Sequence, residues 1–355
     1  MMEFDISGAQ ILGPEGFHDG GLSVVGGCIE NGPTGRDVNL SGYMVLPGII
    51  DVHGDGFERH LAPRRGAMKQ MNEGLRASEA ELAANGISTG VLAQFVSWEG
   101  GLRGLEFAEQ VFAAIRETAP ELVTDLRAQL RFETHQQALY EILPDRIKEW
   151  GLNYVVFNDH LPHDRLAEGR KPPRLVGQAL KAGRNPEVHF AQMLEMHRTG
   201  KFVPAALDRL CNILNDMGIQ MGSHDDQTTQ GRMIWHDRGA HVAEFPETQE
   251  AAEAAKTAGD FVVLGAPNVV RGSSHKGNAS ALDLIAMGLC DALASDYHYP
   301  SPRRAALLVA QSGMLSFKRA WDLVSAGPAK VLGLTDRGEL TPGKRADMVI
   351  LDAHN

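Results

Sequence analysis

The segment Asp51-Val52-His53-Gly54-Asp55 closes an apolar run, Val45-Leu46-Pro47-Gly48-Ile49-Ile50. Its β-branched residues favour an extended strand. Side chains two positions apart on a strand point the same way, so His53 and Asp55 face one space. An imidazole and a carboxylate offered from one strand end suit a metal site. The ending recurs along the chain: Glu133 with His135, Asp159 with His160, His224 with Asp225 and Asp226, and Asp296 all follow apolar runs. Three imidazoles and three carboxylates placed in this way suit one or two divalent cations of the zinc or manganese type, and a bridging carboxylate would let two ions share a water-derived ligand. Any one of these histidines alone reads as an ordinary core or surface residue. Their repeated position at strand ends carries the metal reading.

Asp296, in Leu293-Ala294-Ser295-Asp296, combines two capacities. A buried carboxylate beside a cation stays ionised, can ligate the metal and can accept a proton from water, which makes Asp296 the candidate general base. The competing reading is a helix N-cap. A second cluster, Gly265 to Asn278, joins glycines that expose backbone N–H groups to Asn268, Arg271, His275 and Lys276. That composition suits phosphate oxygens, against the alternative of a plain solvated loop. Glu58 to Arg65 adds Arg59 and two further arginines near the first strand end, although a basic turn is also a common solvated feature. Two basic patches beside a metal site point to a small phosphorylated substrate.

Elements able to bring these residues together are legible as eight apolar strands at Leu46–Val52, 86–95, 126–132, 154–157, 219–222, 243–245, 261–264 and 292–294. Helical patterns at 78–84, 105–115 and 247–257 fall between strands. Strand–helix alternation with this count predicts an α/β fold, a (β/α)8 TIM-like barrel, in which strand ends converge on one mouth. A doubly wound sheet competes, but no glycine-rich dinucleotide fingerprint follows the first strand. Both ends of the chain, before Met44 and from Gly338 to Asp352, read as short strands and turns that pair into a small β-sandwich. The expected division is 1–46 and 336–355 for the sandwich and 47–335 for the barrel.

With 355 residues, 43% of them hydrophobic, the chain is long enough for a large core. The net charge of −11 argues against a nucleic-acid partner. Three separated cysteines, Cys28, Cys211 and Cys290, fit free thiols in a reducing cytoplasm. No stretch approaches a membrane span, so no membrane partner is expected.

The strand ending in His53, the terminal β segments and the closing Gly343-Lys344-Arg345-Ala346-Asp347 resemble the amidohydrolase superfamily. Within it, the chain is similar to the alpha-D-ribose 1-methylphosphonate 5-triphosphate diphosphatases of phosphonate catabolism. That narrower likeness lies in His53-Gly54-Asp55, Arg131-Phe132-Glu133, Asn158-Asp159-His160, Ser223-His224-Asp225-Asp226, Ala243-Glu244-Phe245-Pro246, Gly265 to Gly272 and Ser295-Asp296-Tyr297. The resemblance implies an amidohydrolase-type barrel with metal ligands at His53, Asp55, Glu133, His160, His224 and Asp296, and catalysis through Asp296. It also implies substrate contacts at Arg59, Asp225, Asn268, Arg271, His275 and Lys276. The implied reaction is hydrolysis of the triphosphate to the 5-phosphate and pyrophosphate. The alternative is cleavage of a C–N bond in a cyclic amide or an N-acetyl sugar phosphate, and a silent scaffold barrel is a third reading. A homodimer is expected from the superfamily alone. Gly56 stands where relatives carry Asn, and Ser273 to Lys276 where they read Gly-Ser-His-Ser, both beside the expected substrate site.

Overall fold

The computed structural model describes residues 3–62, 70–272 and 279–353. The N-terminal part forms β1 (Glu3–Gly13), β2 (Gly16–Val25), β3 (Cys28–Glu30), β4 (Asp37–Asn39) and β5 (Tyr43–Pro47). Eight strands follow: β6 (Ile49–Gly54), β7 (Ile87–Val96), β8 (Asp125–Glu133), β9 (Tyr154–Asn158), β10 (Gln220–His224), β11 (Ala240–Glu244), β12 (Phe261–Gly265) and β13 (Ala292–Ala294). The last strand is β14 (Met348–Asp352).

The eight strands β6 to β13 are all parallel and pair in sequence order. Their interior and flanks are rich in Val, Leu and Ile, as expected of strands covered on both faces. The ring closes between its first and last strands. Asp296 N donates to His53 O at 3.0 Å, and Asp55 N donates to Asp296 O at 2.9 Å. Asp51 reinforces this seam by accepting from Ser295 N at 2.8 Å and from Ser295 Oγ at 2.5 Å. The molecule is a TIM-like barrel, with helices packed outside the strands around a core that includes Leu82, Phe112, Trp321 and Val324.

Both chain ends share one six-stranded sheet in the order β14-β5-β1-β2-β3, with β4 parallel to β1. Ile6, Ile11, Val24 and Val45 are buried on its inner side. The sequence reading of one strand over Leu46–Val52 needs correction, because the run divides between two sheets. Pro47 pairs with Met348 of the terminal sheet and Ile49 with Ile87 of the barrel. Gly48 sits at the crossing, where a Cβ would lie 2.3 Å from Ser88 Oγ and 3.0 Å from Asp347 Cβ. The helix expected from Ser78 begins earlier, at Met71. That expected from Glu247 begins at Gln249, once Thr248 has capped it by accepting from Ala251 N.

Between β9 and β10 the chain makes more than one crossover helix. Helices His163–Ala167, Leu175–Lys181, Pro186–Thr199 and Val203–Asp216 succeed one another there. Trp98, Leu161, Leu166, Leu175 and Met193 form a separate small core beneath the first three of them. This insertion stands on the side of the mouth where β9 ends.

Candidate metal centre and substrate pocket

Each barrel strand delivers its last residues to the mouth, and the local backbone there is unusual. Asp225, Phe245 and Asp296 are the non-glycine residues with positive φ among the described residues, at 61°, 53° and 54°. They directly follow or lie just beyond β10, β11 and β13. Left-handed backbone at a non-glycine residue is strained and is found where surrounding structure holds a side chain in a particular direction. Asp296 is therefore set by the barrel seam. The helix-cap alternative for it fails, since the next helix, Ser301–Gln311, starts five residues later.

His53 shows how the site is built. Its ring is fully buried, and Nδ1 lies 2.7 Å from Glu244 Oε2. Glu244 is itself fixed, because its Oε1 accepts from Gln129 Nε2 at 2.7 Å and from Tyr154 Oη at 2.7 Å. Burial opposes charge on both partners, yet their mutual attraction outweighs it. His53 is held above the usual imidazole range and Glu244 falls to about 2. Glu244 thus accepts a hydrogen bond from Nδ1–H, and in the neutral ring that tautomer leaves Nε2 with its lone pair. That Nε2 is buried and has no partner among the described residues. A buried acceptor without a donor is costly, and a cation is the natural occupant of the space it faces.

His160 repeats the pattern. Its Nδ1 is hydrogen-bonded to Glu133 Oε1, and its backbone N donates to Glu133 Oε2 at 3.2 Å. Both oxygens of Glu133 engage His160, so in this geometry Glu133 orients the imidazole from behind. Nε2 of His160 lies 3.8 Å from Asp225 Oδ2. Burial would lower this imidazole, but the Asp225 and Glu133 carboxylates raise it to about 9. His224 behaves oppositely: burial, followed by the charge of Arg131, brings it down to about 4. His53, His224 and Glu244 each offer a ligand atom within 4.8 Å of the others. Asp296 is pushed up to about 6, by burial first and then by the negative charge of Asp55. Crowded carboxylates around an orphaned imidazole nitrogen are a donor set that fits a divalent cation.

Arg131 supplies fixed positive charge at this centre. Its Nη2 donates to His224 Nε2 at 2.8 Å, its Nη1 lies 3.9 Å from Asp55 Oδ2, and its guanidinium stacks 4.0 Å from the centre of the Phe95 ring. A pocket of about 250 Å³ opens beside it, lined by Arg131, His224, Asp225, Asn268, Arg271 and Asp296 among others. Arg271 donates to Tyr297 Oη at 2.6 Å and to Asn268 Oδ1 at 2.5 Å, so Asn268 and Arg271 form one wall of the same pocket. His275 and Lys276 lie outside the described residues, as do two of the arginines after Arg59.

Arg59 is placed differently from the sequence expectation of a substrate contact. It is paired with Glu81, donates to Tyr297 O at 3.2 Å and lies over the Tyr299 ring. A Cβ at Gly56 would meet Arg59 Nη1 at 2.8 Å, so the space an Asn side chain would take there is filled by Arg59. Asp226 turns away from the pocket, since its Oδ2 accepts from Ser223 Oγ at 2.6 Å and from the buried Arg232 at 3.0 Å.

Residues 57–355 match the amidohydrolase family. The chain belongs to that family. The amidohydrolase is also 32% identical, over 315 residues, to the alpha-D-ribose 1-methylphosphonate 5-triphosphate diphosphatase of Escherichia coli (strain K12), covering 87% of this chain and 83% of that protein. Among solved structures it is similar to an uncharacterized metal-dependent hydrolase from Pyrococcus furiosus, with a TM-score of 0.63, 11% identity and 99% of both chains covered. It is likewise similar to the N-acyl-D-glutamate deacylase of Bordetella bronchiseptica, crystallised with zinc and a phosphonate inhibitor, with a TM-score of 0.60, 15% identity, and 99% and 90% coverage. At those identities the two structures support the fold alone. The amidohydrolase is a hydrolytic enzyme of a metal-dependent family. Among the described residues, no helix is long and apolar enough to cross a membrane.

Four contributors to the centre were absent from the expected ligand and substrate residues: Gln129, Arg131, Tyr154 and Glu244. Two signals for them exist in the sequence. Gln129, Arg131 and Glu133 alternate on β8 and so share its inward face, which is unusual for a barrel interior. Glu244 ends β11 as His224 ends β10, and His53 nearly ends β6.

Proposed function

We propose that this amidohydrolase hydrolyses the 5-triphosphate of an alpha-D-ribose 1-methylphosphonate between its α and β phosphorus, leaving the 5-phosphate and pyrophosphate. The observation that carries the reading is the pocket in which Arg131 and Arg271 stand beside His224 and Asp296. Guanidinium groups bind phosphate oxygens bidentately, and a neutral amide substrate would have no use for two of them there. The E. coli relative, named for this reaction, supports the same substrate class.

His53, Asp55, His160, His224 and Asp296 would hold one or two zinc- or manganese-type cations, with Glu244 and Glu133 orienting the first two imidazoles. Such a cation supplies Lewis acidity, drawing charge off a phosphoryl oxygen and acidifying water. Asp296 takes the proton of the attacking water: burial and the charge of Asp55 raise its carboxyl, and a cation beside it would keep it ionised and able to accept. Arg131 keeps its positive charge against the α-phosphate as charge spreads over the equatorial oxygens. Arg271, held by Asn268 and Tyr297, takes the departing phosphates. Phosphoryl transfer of this loose kind needs positioning and charge more than covalent help.

Phosphorus NMR of metal-loaded enzyme acting on the ribose triphosphate in 18O-labelled water tests the assignment. The expected products are unlabelled pyrophosphate and a 5-phosphate carrying one 18O. Label in pyrophosphate would place attack at the β phosphorus. Absence of phosphate release together with deacetylation of an N-acetyl sugar phosphate would give the site to C–N hydrolysis.

A further inference from the structure

Beyond the candidate centre, a second group of imidazoles gathers on one carboxylate at the rim of the mouth. His135 follows β8, Asp159 follows β9, and His163 begins the helix His163–Ala167. Asp159 Oδ2 lies 3.2 Å from His135 Nε2 and 3.0 Å from His163 Nε2. The other oxygen of Asp159 accepts from the Leu161 amide at 3.2 Å and lies 3.3 Å from His163 Nε2. We propose that His135 Nε2, Asp159 Oδ2 and His163 Nε2 form a second site for a zinc-type divalent cation, separate from the one around His53.

The distances suit such an ion. Four ligands at about 2.0–2.1 Å in a tetrahedron stand about 3.3 Å from one another. The two contacts to Asp159 Oδ2 fall within a few tenths of an ångström of that spacing, and the two imidazole nitrogens lie within 4.8 Å of each other, so the rings can close onto an ion. The set also resembles protein metal sites in its mixture of one carboxylate with neutral imidazoles.

One tautomer of His163 suits this site. His163 Nδ1 is 2.8 Å from His197 Nδ1, so one ring donates and the other accepts. When His163 donates from Nδ1, its Nε2 presents a lone pair to a carboxylate oxygen. In that tautomer Nε2 is open to an ion, whereas in the other Nε2–H donates to Asp159 directly. His197 then serves as the hydrogen-bond partner that commonly orients a ligating histidine.

His135 brings a second imidazole to the same carboxylate. Its side chain is 4% exposed and Nε2 is the nitrogen turned to Asp159. Asp159 and His163 are about two-fifths exposed, which leaves one coordination position open to solvent. A comparable cluster, His236, His241 and Asp260, lacks this opportunity. There the buried Arg232 already lies 3.4 Å from Asp260 Oδ2, a fixed cation on the same carboxylate.

The ion would tie the inserted helices to the barrel, because His163 and His197 both belong to the β9–β10 insertion whereas His135 follows β8. Crystals of the whole enzyme equilibrated with zinc test it directly. Anomalous scattering at the zinc edge should show a peak about 2.0–2.2 Å from His135 Nε2, Asp159 Oδ2 and His163 Nε2. Crystals with a peak beside His53 and none at Asp159 would overturn the proposal. In solution, His163→Gln should retain one zinc fewer per chain than wild type by mass spectrometry after gel filtration. His197→Gln should retain the ion with affinity about tenfold weaker or more in chelator competition. An unchanged zinc count in a folded His163→Gln protein would also refute it, and the crystal result stands whether or not that variant folds.

Discussion

The imidazole of His53 can serve as a ligand through Nε2 only in one tautomer, and three side chains from three other strands favour it. Gln129, Tyr154 and Glu244 are buried and do not line the pocket, yet they set which nitrogen of His53 is bare. Glu244→Gln keeps the shape while removing the charge that fixes the Nδ1 proton. Metal affinity should fall about 10–100-fold, read by chelator competition, with the fold retained in circular dichroism. Asp296→Asn has a different signature. Turnover should drop about 10³-fold, the usual span for losing a general base, while substrate binding to the Arg131 and Arg271 wall is little changed. Equal turnover of wild type and Asp296→Asn would remove Asp296 from the proton-transfer role.

At the level of elements, the strands are held in place by abrupt crossings and by the ends that strain them. Gly48→Ala would place a methyl against Ser88 Oγ where β5 hands over to β6. Overpacking of this kind costs about 1–3 kcal/mol, which urea denaturation can measure. A stability equal to wild type would mean that the crossing relaxes more freely than its contacts suggest. The eight barrel strands were legible in sequence because buried parallel strands are short apolar runs, and their polar endings marked the mouth. His53, His224 and Asp296 could be read in that way. The division at Gly48 could not, since an apolar run carries no sign of which sheet each half joins. Arg59 was misleading for another reason. A basic residue near a mouth reads as substrate-facing until its partner, Glu81, twenty-two positions away, is seen beside it.

For the whole molecule, the C-terminal segment is locked to the barrel by Arg337, which is buried and donates to Thr89 Oγ1 at 2.8 Å and Asp125 Oδ2 at 2.6 Å. Burial would raise the Asp125 carboxyl, but hydrogen bonds and charge from Arg337 and Arg127 outweigh it and hold it below the usual 3.8. A carboxyl lowered by folding adds stability above its unfolded value and loses it as pH falls through the folded one. Arg337→Met should therefore cost about 2 kcal/mol at neutral pH. The gap from wild type should narrow as the medium is taken below pH 3.8, followed by thermal unfolding. A gap independent of pH would show that Arg337 acts by packing alone. The ring of strands carries one more implication. Its closing bonds run through the backbone of His53, Asp55 and Asp296, the side chains of which belong to the proposed cation site. An ion held there would be a rivet across the join of a split hoop, and an enzyme stripped of it should breathe at that join before anywhere else in the barrel. Hydrogen–deuterium exchange at the Asp55 and Asp296 amides would register this as an acceleration on chelation that the β8–β9 amides do not share.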